Sequence, residues 1–246
     1  MKVKKKLVCV LACRNQGSRL YGKPLQNLDI KKKVRVIDYM IKNIKKIKII
    51  KDIVLAISKE KDNLEYINIA KKNKIKFIIG DELDVLKRLI KGCELVNGSD
   101  VFRVTSESPF IFDEMNIIKE SWTNHQINNV DFTSTPAKVI DGCGYEIISL
   151  SALKLSHKNG KKKHRSELCS LYIRENKKKF ICSEVITPNY LLREDLRLTI
   201  DFPEDLILCR AIYKNVKNKK LKKIIKFLDK NKNLKKLCEK ILLNEI

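Results

Sequence analysis

Glycine and proline are scarce, at 8 and 5 of 246 residues, which excludes a collagenous chain and argues against a disordered one. No apolar run approaches the roughly 20 residues a membrane helix needs, so no membrane span is expected. The eight cysteines fall at scattered spacings, several inside apolar runs, and no CxxC pair occurs. Buried, reduced thiols are therefore expected, not disulfides or a zinc site. Arginine is also sparse, 10 residues against 43 lysines. Proteins that read phosphate backbones favour the forked guanidinium, and the lysines here recur along helical segments without aromatic interleaving. The formal charge of +24 thus reads as a lysine-, isoleucine- and asparagine-rich codon supply. No specific nucleic acid is expected as a partner, but a positive field would still draw an anionic small substrate.

With 43% hydrophobic and 33% charged residues, the chain has the apolar mass for a substantial core. Residues 1–6 are basic, yet Leu7 to Ala12 is shorter than a signal-peptide core and no small-residue cleavage site follows, so a cytoplasmic protein is expected. No Gly/Ser/Pro-rich linker and no internal repeat divides the chain, which reads as a single domain over 1–246.

Strand-length apolar runs alternate with segments of helical period, the pattern of an α/β domain with a mostly parallel sheet flanked by helices. Leu7 to Ala12 is apolar on both faces and should be a central strand. Strands are predicted at Asp52 to Ser58, Lys76 to Gly80 and Asp100 to Thr105. Helices are predicted at Val36 to Lys46, Asp62 to Lys74 and Asp84 to Asn97. Beyond Pro109 the rhythm loosens. A helix is expected from Asp113 to about Gln126, strands near Val130 to Ser134 and Glu146 to Leu150, and a lysine-rich loop at Lys158 to Lys163. A helix from Arg165 to Asn176 follows, then strands at Phe180 to Val185 and Leu196 to Ile200. A helical tail from Pro203 carries apolar positions at helical spacing, among them Ile224, Ile225, Leu228, Leu234, Leu237 and Ile241.

The loop after the first strand packs Arg14, Ser18, Arg19, Lys23 and two glycines into eleven residues. It leaves the carboxyl end of a central strand, where open α/β sheets bind ligands. Glycines let the backbone close around phosphate oxygens, and cations offset the charge that builds when a phosphoryl group is attacked. Gly17 to Lys23 also fits G-x-x-x-x-G-K, but Pro24 stands where a phosphate-binding loop of that type needs Ser or Thr to hold Mg²⁺. Proline also biases Lys23 away from helical geometry, so an ATPase or kinase is excluded. Glu107 and Asp201 each follow an apolar run and precede a proline, which puts them at carboxyl edges of strands. Oxygen ligands of this kind, completed by phosphate and water, suit Mg²⁺. Asp201 equally suits a cap for the helix opening at Pro203. The three histidines, His125, His157 and His164, lack a carboxylate at a telling spacing. Trp122, Phe102, Phe110 and Phe112 read as core.

With these segments assembled, the sequence resembles the cytidylyltransferases that make CMP-activated acidic sugars, the acylneuraminate and CMP-Kdo synthetases, and most closely the spore-coat polysaccharide type. The resemblance spans nearly the whole chain. Its anchors are Arg14 to Lys23, for R-x-x-S-x-R-L-x-G-K; Asp84 to Arg88, for D-V-L-x-R; Arg103 to Pro109, for R-V-T-G-D-x-P; Gly144 to Leu150; Glu167 to Asn176; and Arg197 to Leu206, for R-L-T-x-D-x-P-E-D-L.

The resemblance implies a Rossmann-like nucleotide-diphospho-sugar transferase domain with a mixed, mostly parallel sheet, paired as a homodimer. Residues to about 110 would form the nucleotide-binding half, about 111–210 the acceptor-binding and dimerisation half, and 211–246 terminal helices. It implies transfer of CMP from CTP, with Mg²⁺, to a small anionic acceptor such as an acidic sugar, with release of pyrophosphate. By position, Arg14, Ser18, Arg19 and Lys23 would hold the triphosphate, with Lys23 nearest the α-phosphate. Asp84 and Arg88 would lie near the nucleoside, and Arg103 and Glu167 would bind substrate. Glu107 and Asp201 would bind the metal, and Asp201 would also orient the nucleophile. Two segments depart from the family pattern: Ser106-Glu107 replaces its Gly-Asp, and Ser166 to Tyr172 lacks the histidine and proline of its R-E-H-x-T-P-Y. The latter change leaves room for a phosphorylated or phosphonate acceptor. A nucleic-acid-binding protein on a retired enzyme fold is the alternative from another class.

Overall fold

A computed structural model describes residues 5–243, with side chains as far as residue 238. The basic start at residues 1–4, the apolar side chain at position 241 and residues 244–246 of the tail lie outside what is described. Strands β1 (Leu7–Cys13), β4 (Asp52–Ser58), β5 (Lys76–Gly80), β6 (Asp100–Arg103), β7 (Phe132–Ser134), β8 (Glu146–Ser149) and β9 (Cys182–Glu184) make one sheet in the order β5-β4-β1-β6-β8-β7-β9. β1 pairs in parallel with β4 and β6, β4 with β5, and β7 with β9. β8 runs antiparallel to both β6 and β7. The sheet is thus mixed and mostly parallel, with β1 inside it, as the two-sided apolar run predicts.

Side-chain alternation in β1 divides the core. Leu7, Cys9, Leu11 and Cys13 pack on one face, with α1 (Val36–Ile44), α2 (Glu65–Lys72), α4 (Met115–Ile127), α7 (Pro203–Asn215) and α8 (Leu221–Lys230). Val8 and Val10 face α3 (Val85–Leu95), α5 (Leu150–Asn159) and α6 (Leu171–Glu175) on the other. α9 (Lys232–Leu243) packs on α7 and α8. Trp122, Phe102, Phe110 and Phe112 are buried, and all eight cysteines are free, seven of them buried. Among the described residues no helix is long and apolar enough to cross a membrane.

Several expectations are corrected. Leu196 to Ile200 is extended but joins neither sheet. Its one bridge is from Arg197 to Asp141. Gly142, at φ +83°, turns the partner segment away after that bridge, and a Cβ there would meet the Thr199 nitrogen at 2.5 Å. The helix expected from Arg165 to Asn176 is confined to α6; Lys162–Arg165 forms a 3-10 turn, and Ser166 to Cys169 is irregular. α5 runs on to Asn159, into what reads as loop. A two-stranded ribbon of β2 (Asn27–Asp29) and β3 (Val34–Arg35), not anticipated, follows the cationic loop.

Candidate active site

The loop leaving β1 owes its shape to neighbours more than to its own turns. Asn15, 4% exposed, donates its backbone N–H to the Asn63 side chain at 2.7 Å, and its side-chain oxygen accepts the Tyr66 hydroxyl at 2.9 Å. Gly22, at φ +60°, returns its N–H to the Asn15 carbonyl at 2.8 Å, closing the loop. Lys23 follows at once, as the first residue of a 3-10 turn with Pro24 second. The first motif's serine position is held by Gly17, with Ser18 one place on.

This loop walls a cavity of about 280 Å³ at the carboxyl ends of β1 and β6. Arg14, Ser18, Arg19, Lys23, Arg88, Arg103, Glu107, Glu167 and Asp201 all line it, so nine of the ten residues singled out from sequence converge. Lys23 Nζ donates to Asp201 Oδ1 at 2.5 Å across 178 positions of chain. The Arg14 guanidinium donates to Glu167 at 3.1 Å, and that of Arg19 lies 4.5 Å over the Phe202 ring.

Asp201 does not cap α7. Asp205 does: its carboxylate accepts the N–H groups of Asp201 and Phe202 at 2.8 and 2.9 Å, with Pro203 opening the helix. The Asp201 side chain is thereby free to face the cavity. Glu107 is half-buried. Burial raises its pKa, Lys23 opposes the rise and Asp201 adds to it. Glu107 and Asp201 line the same wall as an all-oxygen donor pair, a donor chemistry that fits Mg²⁺, which completes its shell with phosphate and water oxygens.

A second cavity, of about 510 Å³, shares Arg103, Val104, Thr105, Glu107 and Asp201 with the first. Its far wall carries Asp141, Glu146, Arg174, Arg197 and Thr199. Glu146, 8% exposed, takes Arg103 at 2.7 Å, the Ser170 hydroxyl at 2.7 Å and Arg174 at 2.9 Å. Burial alone would raise its pKa, but these partners outweigh burial and lower it. Arg103 also donates to the Glu167 carbonyl at 2.7 Å, which ties the irregular 166–169 segment to the site.

One placement differs from the sequence reading. Asp84 stands outside the cavity: it accepts the Lys87 N–H at 2.9 Å as N-cap of α3 and lies 2.8 Å from His157 Nε2. Arg88, 1% exposed, lines the cavity and donates from Nη1 to two strand-end carbonyls, Cys13 at 3.2 Å and Ala56 at 2.8 Å, so it braces the cavity floor. Each histidine does have a carboxylate partner, brought from a distant segment: His125 with Asp100, His157 with Asp84 and His164 with Glu175. None lines either cavity. His157→Ala should leave turnover unchanged and lower stability by about 1 kcal/mol, measured by steady-state kinetics and thermal melting. Residues that sequence reasoning passes over are Asn15, Asn63, Tyr66, Asp141, Glu146, Arg174 and Arg197. Of these, Asn15, Glu146, Arg174 and Arg197 fall inside the anchor segments, Arg197 at a named motif position, whereas Asn63, Tyr66 and Asp141 lie outside them.

The model of the cytidylyltransferase family matches residues 8–245. An uncharacterised protein of Methanocaldococcus jannaschii is 29% identical over 234 residues, 94% of each chain. The spore coat polysaccharide biosynthesis protein SpsF of Bacillus subtilis is 24% identical over 212 residues, 84% of this chain and 86% of that one. Among solved structures, a cytidylyltransferase from Leptospira borgpetersenii has a TM-score of 0.83 at 22% identity, covering 94% of this chain and 97% of that one. The CMP:2-keto-3-deoxy-manno-octonic acid synthetase complexed with CTP has a TM-score of 0.61 at 12% identity, covering 85% and 99%. With the match running from the second residue of β1 through the terminal helices, the chain belongs to the cytidylyltransferase family and is a CTP-dependent nucleotidyltransferase.

Proposed function

We propose that this enzyme transfers CMP from CTP to the hydroxyl of an acidic sugar, releasing pyrophosphate and forming a CMP-sugar for surface polysaccharide or glycan assembly. The observation that carries this reading is the contact of Lys23 with Asp201 on the wall between the two cavities. In it, the triphosphate occupies the first cavity against Arg14, Ser18, Arg19 and Lys23. Lys23 donates to the α-phosphate, where negative charge concentrates as the new P–O bond forms and the bond to the leaving pyrophosphate breaks. Glu107 and Asp201 would hold Mg²⁺, which when bound would supply charge neutralisation at the phosphates and make the acceptor hydroxyl easier to deprotonate. Asp201, on the shared wall, orients the acceptor hydroxyl in line with the leaving group.

The charge of the second cavity favours a carboxylate acceptor over a phosphorylated one. Its three arginines face the carboxylates of Glu107, Asp141, Glu146 and Asp201. With a divalent ion at the wall, this set balances one added negative charge, not two. Arg174, whose side chain is 44% exposed, has donors left for it.

The test is pyrophosphate release from CTP and Mg²⁺ with a panel of sialic, legionaminic, pseudaminic and Kdo-type acids, beside phosphorylated and phosphonate acceptors. Turnover with a monocarboxylic sugar acid, giving a CMP-sugar phosphodiester, supports the reading; a product joined through a P–O–P anhydride, CDP-linked or CMP-phosphonate, replaces it. In a thermal-shift screen of the four nucleoside triphosphates with Mg²⁺, CTP should stabilise most, by about 2.7 kcal/mol at a hundredfold excess over its Kd. Steep, salt-dependent duplex binding without any CTP-dependent shift would favour a nucleic-acid-binding protein instead.

A further inference from the structure

Arg197 is a buried cation at the junction of the two cavities. Its side chain is 4% exposed, and it meets three carboxylates: Asp141 and Asp201 through its terminal nitrogens and Asp205 through Nε at 3.4 Å. A structural ion pair needs one acid. Here Arg197 meets three, and Lys23 reaches one of them, Asp201, from the first cavity.

The geometry divides Asp201 between two tasks. Arg197 takes Oδ2, and Lys23 meets Oδ1. The backbone beneath is fixed too, since the Asp201 N–H is held by Asp205. Arg197 is itself anchored. Asp141 donates its N–H to the Leu196 carbonyl and accepts that of Leu198 at 2.8 Å, and the Arg197 carbonyl takes the Cys238 thiol of α9 at 3.7 Å.

We propose that Arg197 is a positioning residue for the transfer. It clamps the Asp201 carboxylate by one oxygen, so that only Oδ1 is presented to the shared wall, and it joins that carboxylate to Asp141 on the acceptor side. The inference rests on the proposed CMP transfer, and it concerns Asp201 alone among the groups that would hold the divalent ion. Loss of an outer partner that orients such a ligand typically costs tenfold to a hundredfold in affinity or rate.

The test uses Arg197→Gln and Arg197→Lys in the full chain. Each is measured for kcat and KM for CTP, for melting temperature, and for Mn²⁺ binding by paramagnetic resonance titration with CTP present. Arg197→Gln should lower kcat roughly tenfold to a hundredfold and weaken Mn²⁺ binding by a similar factor. KM for CTP should stay within a few-fold. Arg197→Lys keeps the charge but cannot grip three acids. It should fold, recover part of kcat, and still bind Mn²⁺ more weakly than the parent enzyme. If Arg197→Gln does not fold, Arg197→Lys decides. A folded Arg197→Lys with the parent's kcat and Mn²⁺ affinity overturns the proposal, as does a folded Arg197→Gln with both unchanged. Turnover by the parent enzyme reports separately on the transfer reaction. If it is absent with every acceptor, the Mn²⁺ titration still reads the role of Arg197.

Discussion

Lys23→Ala is expected to lower turnover of CTP by about 10²–10³-fold, the usual cost of deleting one donor aimed at the charge developing in a transition state. Pyrophosphate release at saturating CTP measures it. The side chain is one-fifth exposed and donates to Asp201, so truncation opens no cavity in the core and leaves Asp201 held by Arg197. The melting temperature should therefore move little while kcat collapses. A variant that keeps more than a tenth of the parent's turnover would remove Lys23 from the chemistry. Lys23→Arg is not a conservative control here, because a planar fork cannot reproduce a point ammonium in so tight a contact.

Glu146→Ala is expected to destabilise the fold by about 3–5 kcal/mol, the range found when one member of a buried ion network is removed. For a chain of this length that is a drop of roughly 10 °C in melting temperature. The mechanism is electrostatic: Arg103 and Arg174 both close on Glu146, and without it two guanidinium groups confront each other at the sheet's carboxyl edge. Burial pushes the Glu146 pKa up, but Arg103, Ser170 and Arg174 together bring it below the ordinary glutamate value. A depressed carboxylate stabilises fully above its unfolded pKa, about 4.3, and that contribution fades as pH falls toward the folded value. The stability difference between parent and variant, followed by chemical denaturation, should thus be constant from neutral pH to about 5 and shrink below that. A difference that persists undiminished at pH 3 would contradict this account.

The parallel half of the fold is legible because its signals are local. Strand β4 and strand β5 fall on their predicted residues, since each is an apolar run bounded by charge. The motif loops follow, because a parallel strand delivers whatever comes next to one edge of the sheet. What stays hidden is set by partners far along the chain. Arg197 and Asp141 are 56 positions apart, and Arg103 and Glu146 are 43. No spacing rule links them. Leu196 to Ile200 has the alternation of a strand, yet alternation reports burial on one side and not the presence of a hydrogen-bonding neighbour. Asp84 looks like a binding residue in its motif and serves as a helix cap, which shows that a motif fixes the position of a segment more firmly than the task of each side chain in it. The histidines carry the same lesson reversed, since each finds its carboxylate only through the tertiary fold.

Arg103, Glu107 and Asp201 form a partition that serves two compartments. Under the proposed transfer, a compound tethering a cytidine phosphate to a sugar acid would straddle that partition, each head raising the local concentration of the other, commonly into the millimolar range. Such a two-headed inhibitor would bind far beyond the sum of its halves, and its tether need be no longer than the thickness of one side chain.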